Sequence, residues 1–256
     1  MNTDETRIGQ TWRGFVSAVR TLTVLRVPGR DADAMASTLP WFSLVGALIS
    51  IFVAAVFWLL RDVFAWPEGA AVLAIVMAAV LTGGLHLDGF ADTVDGWRGG
   101  KTRERRLEIM KDSRIGAMGG IGLVLVLLLQ YVALARLADA PGGMWLLPLA
   151  YILSRLAMTQ LAVSLPYARA EGGTAELFVK GARGGHFIAA LLLAAALCSA
   201  VGGAVGLLAL IFTVLLTLSL RRWMRLIFGG VTGDLLGFAC VVVETALLLV
   251  LATVAR

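Results

Sequence analysis

The chain has 256 residues, of which 59% are hydrophobic and only 15% are charged, and its mean hydropathy is +0.87. Soluble domains are about 45–50% apolar and about 25% charged, so this composition excludes a soluble enzyme, a disordered chain and a disulfide scaffold. It indicates a polytopic membrane protein. The net charge of +5 is typical of basic cytoplasmic loops, and we expect no nucleic-acid binding.

An amphipathic helix is predicted near the amino terminus, within a cytoplasmic or interfacial segment of residues 1–38. Its apolar side chains recur at helical spacing and share one face. They are Trp12, Phe15, Val16, Val19 and Leu22. Arginines flank this face, a pattern that is typical of a helix lying on the membrane surface.

Seven apolar stretches follow that are long enough to be spans. They are residues 39–60, 70–87, 117–137, 144–165, 187–202, 203–220 and 235–254. The fifth and sixth form one apolar run of 34 residues, which is too long for a single span and short for two. We predict a turn within residues 199–206, which contain three glycines. The sequence therefore predicts an all-α polytopic bundle of about seven spans, forming one integral membrane domain over residues 1–256.

The positive charges lie almost entirely on one side of this predicted bundle. Eighteen of the 22 Lys and Arg residues fall in regions 1–38, 88–116, 166–186 and 221–234, and only Arg61 and Arg256 fall on the other side. Because cytoplasmic loops carry an excess of Lys and Arg, we expect these four regions and the amino terminus to be cytoplasmic.

Three aspartates begin the region 88–116, which we predict to be an active-site loop. Asp88, Asp92 and Asp95 are spaced i, i+4 and i+7, so on a helix they lie within an arc of about 60°. A divalent cation would neutralise them, and oxygen ligands favour magnesium, manganese or calcium. The alternative is a solvated helix start capped by Asp88. The nearby His86 is either a proton-handling group or a plain interfacial histidine.

A mixed basic and acidic stretch follows the aspartates. Glu108 and Asp112 are i, i+4 partners among several cations that suit phosphate groups. Those cations are Arg98, Lys111 and Arg114. Alone this pattern is typical of a solvated juxtamembrane helix, but beside an acidic cluster it favours phosphoryl transfer.

Weaker signals come from three other regions. Arg155 lies near the middle of the fourth predicted span, where an arginine either binds substrate or pairs within the bundle, with Glu244 as a candidate partner. Arg169 lies in a cytoplasmic loop and is a candidate phosphate ligand. Asp234 follows a glycine-rich turn and is either a catalytic group or a helix N-cap.

Two blocks of the sequence resemble the cobalamin synthase family, the adenosylcobinamide-GDP ribazoletransferases. Residues 83–96 read GGLHLDGFADTVDG and match the signature of that family almost letter for letter, and residues 107–116 read LEIMKDSRIG. Shorter matches lie at residues 26–28, 154–155, 166–169 and 229–237, so that the resemblance spans nearly the whole chain.

The resemblance implies a bacterial inner-membrane enzyme with its active site facing the cytoplasm. Adenosylcobinamide-GDP would react with α-ribazole or its 5′-phosphate and release GMP, with magnesium as the cofactor. The residue roles are our own expectations: the metal would be bound by Asp88, Asp92 and Asp95, and the hydroxyl proton would be accepted by His86 or Asp112. The remaining candidate catalytic residues are Glu108 and Asp234. A lipid bilayer is the expected surrounding, and a homo-oligomer is left open.

Two other functions remain as alternatives at this point. A CDP-alcohol phosphotransferase also uses spaced aspartates in membrane helices, but its pattern has an Ala-Arg pair after Asp-Gly-x-x. In this chain Asp88-Gly89-Phe90 is followed by Ala91-Asp92. A divalent-cation transporter would place acids at mid-membrane positions, and Glu244 alone fits that description.

Overall fold

The computed structural model describes residues 3–255, with side chains from residue 9, and within that range it contains helices and no strands. The ten α-helices are α1 Thr3–Leu22, α2 Phe42–Trp58, α3 Pro67–Thr82, α4 Leu85–Gly99, α5 Arg103–Ile109, α6 Ala117–Asp139, α7 Leu147–Ser164, α8 Glu176–Lys180, α9 Gly184–Phe228 and α10 Gly233–Val254. The prediction of an all-α fold is confirmed. Arg256, which the charge count places on the outer side, lies outside the described residues.

Five helical segments of the described chain are long and apolar enough to cross a membrane. They are Met35–Val63, Ala117–Asp139, Gly143–Ser164, Gly184–Phe228 and Gly233–Val254. A sixth would join α3 to α4, but these helices meet at 92°. Gly83 and Gly84 make this bend with φ of 61° and 72°, a conformation that costs glycine little. The predicted span 70–87 therefore ends at Thr82, and α4 leaves its axis at a right angle.

The long helix α9 is broken at Gly203, whose φ of 52° and ψ of −126° are not helical. A Cβ at Gly206 would overlap the carbonyl oxygen of Cys198. In a continuous helix those residues would lie about 12 Å apart along the axis. The chain thus doubles back where the turn was predicted, and residues 184–202 and 203–228 are two helices. Seven spans are compatible with this arrangement, and the number remains a prediction.

The amphipathic helix α1 packs its apolar face against the protein. Val16, Val19 and Leu22 are buried, whereas Trp12 is exposed. Two ion pairs tie the helix to the following loop, Arg13–Asp33 at 3.0 Å and Arg20–Asp31 at 2.6 Å. The predicted amphipathic character is confirmed, and α1 also forms part of the bundle.

Helix α7 lies at the centre of the bundle, between α2, α9 and α10, and most of its side chains are buried. Its close approach to α2 depends on Gly46, because a Cβ there would overlap the carbonyl oxygen of Tyr151. Helix α4 packs against α10 and α6. The rings of Phe90 on α4 and Phe238 on α10 stack with centroids 5.4 Å apart. The acidic helix is therefore fixed to the spanning helices.

Candidate active site

Two loops that are far apart in sequence form one short parallel bridge at Tyr167 and Val231. The amide of Ala168 donates to the carbonyl of Val231 at 2.9 Å, and the amide of Val231 donates to the carbonyl of Pro166 at 2.9 Å. A Cβ at Gly230 would overlap that Pro166 carbonyl, which explains a glycine in the turn. The bridge places the loop at 166–169 beside the start of α10.

The basic segment joins this bridge through its arginines. Arg103 donates from Nη2 to the carbonyl of Ala168 at 3.0 Å, and Arg106 donates from Nη1 to the carbonyl of Ile227 at 3.1 Å. Lys111 forms an ion pair with Glu171. Three of the four regions predicted to be cytoplasmic are thus one connected assembly around α4.

Helices α4 and α10 cross in close contact at two glycines. A Cβ at Gly89 would lie 2.8 Å from the carbonyl oxygen of Asp234, and a Cβ at Gly237 would lie 3.3 Å from that of His86. Larger side chains at Gly89 would push the helices apart. The contact brings the carboxylate of Asp234 next to the acidic face of α4.

Asp92 is the half-buried member of this acidic group. Burial, followed by the negative charges of Asp88 and Asp234, raises the pKa of Asp92 to about 7. Asp95 adds a smaller contribution of the same sign, and Arg169 opposes all of them. Carboxylates this close to one another carry an excess of negative charge that a cation would relieve.

Asp234 accepts a hydrogen bond from Nη2 of Arg169 at 2.6 Å. The N-cap of α10 is Thr232, whose hydroxyl accepts from the amide of Leu235 at 3.2 Å. The interpretation of Asp234 as an N-cap is therefore wrong. The structure places Asp234 among the acids and places Arg169 beside them, with both side chains largely buried.

Asp95 has a different environment from the other two aspartates of α4. Its Oδ2 accepts from the amide of Gly116 at 2.7 Å, and its Oδ1 accepts from the amide of Gly119 at 2.7 Å. These amides belong to the N-cap residue and the first turn of α6, where backbone N–H groups have no helical partner. A Cβ on either glycine would overlap the carboxylate. Asp95 thus caps α6 from another helix.

We tested whether these acids fit the magnesium that the family resemblance implies. In the part of the chain that the structure describes, no three Asp, Glu, His or Cys side chains stand close enough to hold a metal ion by themselves. Magnesium is commonly bound by one or two carboxylates together with substrate phosphates and water. Asp88 and Asp92, with excess negative charge around them, fit that requirement, whereas both oxygens of Asp95 already accept hydrogen bonds.

An open cleft of about 800 Å³ lies between α4, α5 and the start of α6. Its cations are three of the predicted phosphate ligands, Arg98, Lys111 and Arg114, together with Arg105. We call it the basic cleft. Asp95 lines it at the α4 side. Four cationic side chains around one opening are suited to binding a ligand with several phosphates.

Two of the three acids that line the basic cleft, Glu108 and Asp112, are paired with its arginines. Glu108 accepts from Arg105 at 2.7 Å. Asp112 accepts from the side chain and backbone of Arg114, which lowers the pKa of Asp112 to about 2. A carboxylate held so firmly in its ionised form is a weak proton acceptor. These acids orient cations in the structure.

Arg155 is buried in the bundle and forms an ion pair with Glu244, the partner suggested by the sequence. Its Nη1 also donates to the hydroxyl of Ser154 at 2.9 Å. Of the two alternatives for Arg155, the structure shows the pairing within the bundle. His86 borders the small cavity beside this pair and is buried as well.

Some groups of the candidate site could not be predicted from the sequence. The amides of Gly116 and Gly119 that hold Asp95 belong to the backbone, and their role depends on where α6 begins. Arg105 and Glu171 are ordinary charged residues in mixed-charge loops. The association of Asp234 with α4 had one signal, the glycines of both helices, which permit close contact.

Comparison with known proteins gives a consistent family relationship. A family model described as cobalamin-5-phosphate synthase matches residues 14–252. A relative from Chlorobium phaeobacteroides (strain BS1), named adenosylcobinamide-GDP ribazoletransferase, is 42% identical over 235 residues, which are 88% of this chain and 91% of the relative. A relative of the same name from Chlorobaculum tepidum is 41% identical, with 93% of this chain and 94% of the relative covered.

A further relative has a somewhat lower identity. One from Roseiflexus sp. (strain RS-1), with the same name, is 38% identical over 257 residues, which are 96% of this chain and 93% of the relative. No solved structure matches the chain.

Proposed function

The chain belongs to the cobalamin-5-phosphate synthase family, and on that premise we propose that it joins adenosylcobinamide-GDP to α-ribazole or α-ribazole 5′-phosphate. An oxygen of the ribose forms a bond to the phosphorus attached to cobinamide. The bond from that phosphorus to the phosphate of GMP breaks, and GMP leaves with the bond electrons. The hydroxyl proton passes to a carboxylate of the site, and the product is adenosylcobalamin or its 5′-phosphate.

The observation that carries this proposal is the position of the acidic group beside the basic cleft. Asp88 and Asp92 lie on the same face of α4 as Asp95, which lines that cleft. Phosphoryl transfer requires mainly positioning and neutralisation of charge, and the two features supply both. The transporter alternative loses its support, because Glu244 is paired with Arg155 inside the bundle.

The residues have separate roles in this proposal. Asp88 and Asp92 would hold magnesium together with the substrate phosphates, and magnesium would supply neutralisation of phosphate charge there. Arg98, Lys111 and Arg114 hold the diphosphate. Two further groups keep the site in shape: Arg169 holds Asp234 beside the acids, and Asp95 holds the start of α6 against α4.

We also propose that the site faces the cytoplasm from a bacterial inner membrane. The support is the charge count, because the regions that meet at the site hold most of the Lys and Arg residues. Seven spans put the two termini on opposite sides. Reporter fusions at each end test this topology, and two reports from the same side would contradict seven spans.

The direct test is a comparison of leaving groups. Purified protein in lipid nanodiscs should release GMP from adenosylcobinamide-GDP when α-ribazole and magnesium are present, with equal formation of adenosylcobalamin. The same preparation should release no CMP from CDP-alcohols. Release of CMP without GMP would overturn the proposal in favour of the phospholipid synthase.

A further inference from the structure

A second cavity lies at the amino end of α4, with a volume of about 240 Å³. We call it the apolar pocket. Six helices line it, and besides α4 they contribute the apolar side chains of Leu22, Phe42, Met158, Phe178 and Leu236. Two aromatic rings and a methionine suit a flat apolar ligand, because aromatic faces and a flexible thioether adapt to such a surface.

The polar groups around the apolar pocket are few. Asp88 and Asp234 line it, so that it opens onto the acidic group. His86 also lines it, is only 5% exposed, and has no hydrogen-bond partner at either ring nitrogen among the described residues. A buried imidazole without a partner costs free energy that a ligand can recover. A heteroaromatic ring offers such a partner, whereas a lipid acyl chain does not.

The apolar pocket and the basic cleft lie along the same face of α4. Asp88 lines the pocket, Asp95 lines the cleft, and Asp92 lies between them in the helix. The residues described around the pocket include no Lys or Arg, whereas the cleft has four. A reaction between a diphosphate and an aryl nucleoside needs a basic site for the phosphates and an apolar site for the base.

We propose that the apolar pocket binds the dimethylbenzimidazole base of α-ribazole, an inference that rests on the proposed function. The base lies among the aromatic and aliphatic walls, and its ribose extends past Asp88 and Asp234 toward Asp92. The diphosphate of the other substrate lies in the basic cleft. The ribose oxygen and the phosphorus then meet along the acidic face of α4.

Steady-state kinetics with a wall variant tests this assignment. Phe178→Ala removes one aromatic wall and should raise KM for α-ribazole about tenfold, while KM for adenosylcobinamide-GDP stays within about twofold. Leu177→Ala is the matched control, because Leu177 is the neighbouring residue of α8 and is exposed away from the pocket. The control should keep both constants.

Substrate analogues test the same assignment in the unmodified protein. A benzimidazole riboside without the two methyl groups should have a KM about fifteenfold higher than α-ribazole, since each buried methyl contributes roughly a factor of four. An equal KM for the two nucleosides would overturn the pocket assignment. So would a Phe178→Ala variant that changes KM for the corrinoid nucleotide instead. If the unmodified protein forms no adenosylcobalamin at all, the proposed function itself fails.

Discussion

Asp88 at the amino end of α4 and Asp95 near its carboxyl end lie on the same helical face, yet their surroundings differ. Asp88 is exposed, borders the apolar pocket and lies close enough to Asp92 to raise the pKa of that carboxyl group. Asp95 accepts two backbone N–H groups of α6 and borders the basic cleft. One sequence pattern therefore combines an acid that is open to a ligand with an acid that holds the fold.

The difference follows from what packs against each end. At the amino end, Gly89 admits the start of α10, which brings another carboxylate, that of Asp234. At the carboxyl end, glycines admit the start of α6, which brings N–H donors. Hydrogen bonds from backbone N–H groups stabilise an ionised carboxylate, whereas a second carboxylate repels it and favours the binding of a cation.

The largest effect is expected at the amino end. Asp88→Asn and Asp92→Asn each keep the shape of the side chain but remove a charge that would bind magnesium. We expect kcat to fall about 10²–10³-fold with little change in thermal stability. Turnover across a magnesium titration is the measurement, and added magnesium should restore part of the loss. Removal of magnesium with a chelator should abolish turnover of the unmodified enzyme.

The matched control is Asp62→Asn, which changes an exposed acid that lies far from these residues in the chain, next to α2. It should leave turnover unchanged. Near-normal turnover of both α4 variants at low magnesium would show that the metal is bound elsewhere.

The contact of α4 with α10 should be sensitive to one methyl group. Gly89→Ala places a Cβ 2.8 Å from the carbonyl oxygen of Asp234, so the helices must separate. We expect a loss of about 1–3 kcal/mol in the free energy of unfolding, seen as a lower Tm, together with reduced turnover. Gly120→Ala is the control, since its Cβ would meet nothing within 4 Å and alanine favours a helix. An unchanged Tm for Gly89→Ala would mean that the helices are further apart.

Asp95→Asn should give a smaller effect of a different kind. The amide nitrogen of asparagine cannot accept a hydrogen bond, so one N–H group at the start of α6 loses its partner. We expect a loss of about 1–2 kcal/mol in stability, and a loss of turnover that added magnesium does not restore. Restoration by magnesium with an unchanged Tm would show that Asp95 binds the metal, as the sequence pattern predicts.

The sequence predicts the helices well, because apolar length and glycine turns are local properties. The family relationship inferred from residues 83–96 is confirmed by the family match, and the turn within residues 199–206 contains the break at Gly203. The bend after α3 was not predicted. The apolar run continues to Leu87, but Gly83 and Gly84 both adopt left-handed backbone conformations.

The partners of individual charges were harder to predict, because they depend on tertiary contacts. The pairing of Arg155 with Glu244 could be inferred, since two opposite charges inside a bundle have few other partners. The different role of Asp95 could not be predicted, because helical spacing shows which face a residue lies on but not which element packs against that face.

The smallest effects are expected in the basic cleft. Its cations are exposed, and solvent and salt screen exposed charges, so that each contributes little alone. Arg98→Gln, Lys111→Gln and Arg114→Gln should each raise KM for adenosylcobinamide-GDP about two- to fivefold and leave kcat nearly unchanged. KM for α-ribazole should not change.

Salt dependence makes this prediction sharper. If the cleft holds the diphosphate, KM of the unmodified enzyme for the corrinoid nucleotide rises with ionic strength, and each variant reduces that dependence. Arg61→Gln, which removes a cation that contacts Asp62 and the carbonyl of Ala140, is the control and should keep the full dependence. If the variants instead raise KM for α-ribazole, then α-ribazole binds in the basic cleft. The diphosphate would then bind at the amino end of α4, and the two assignments must be exchanged.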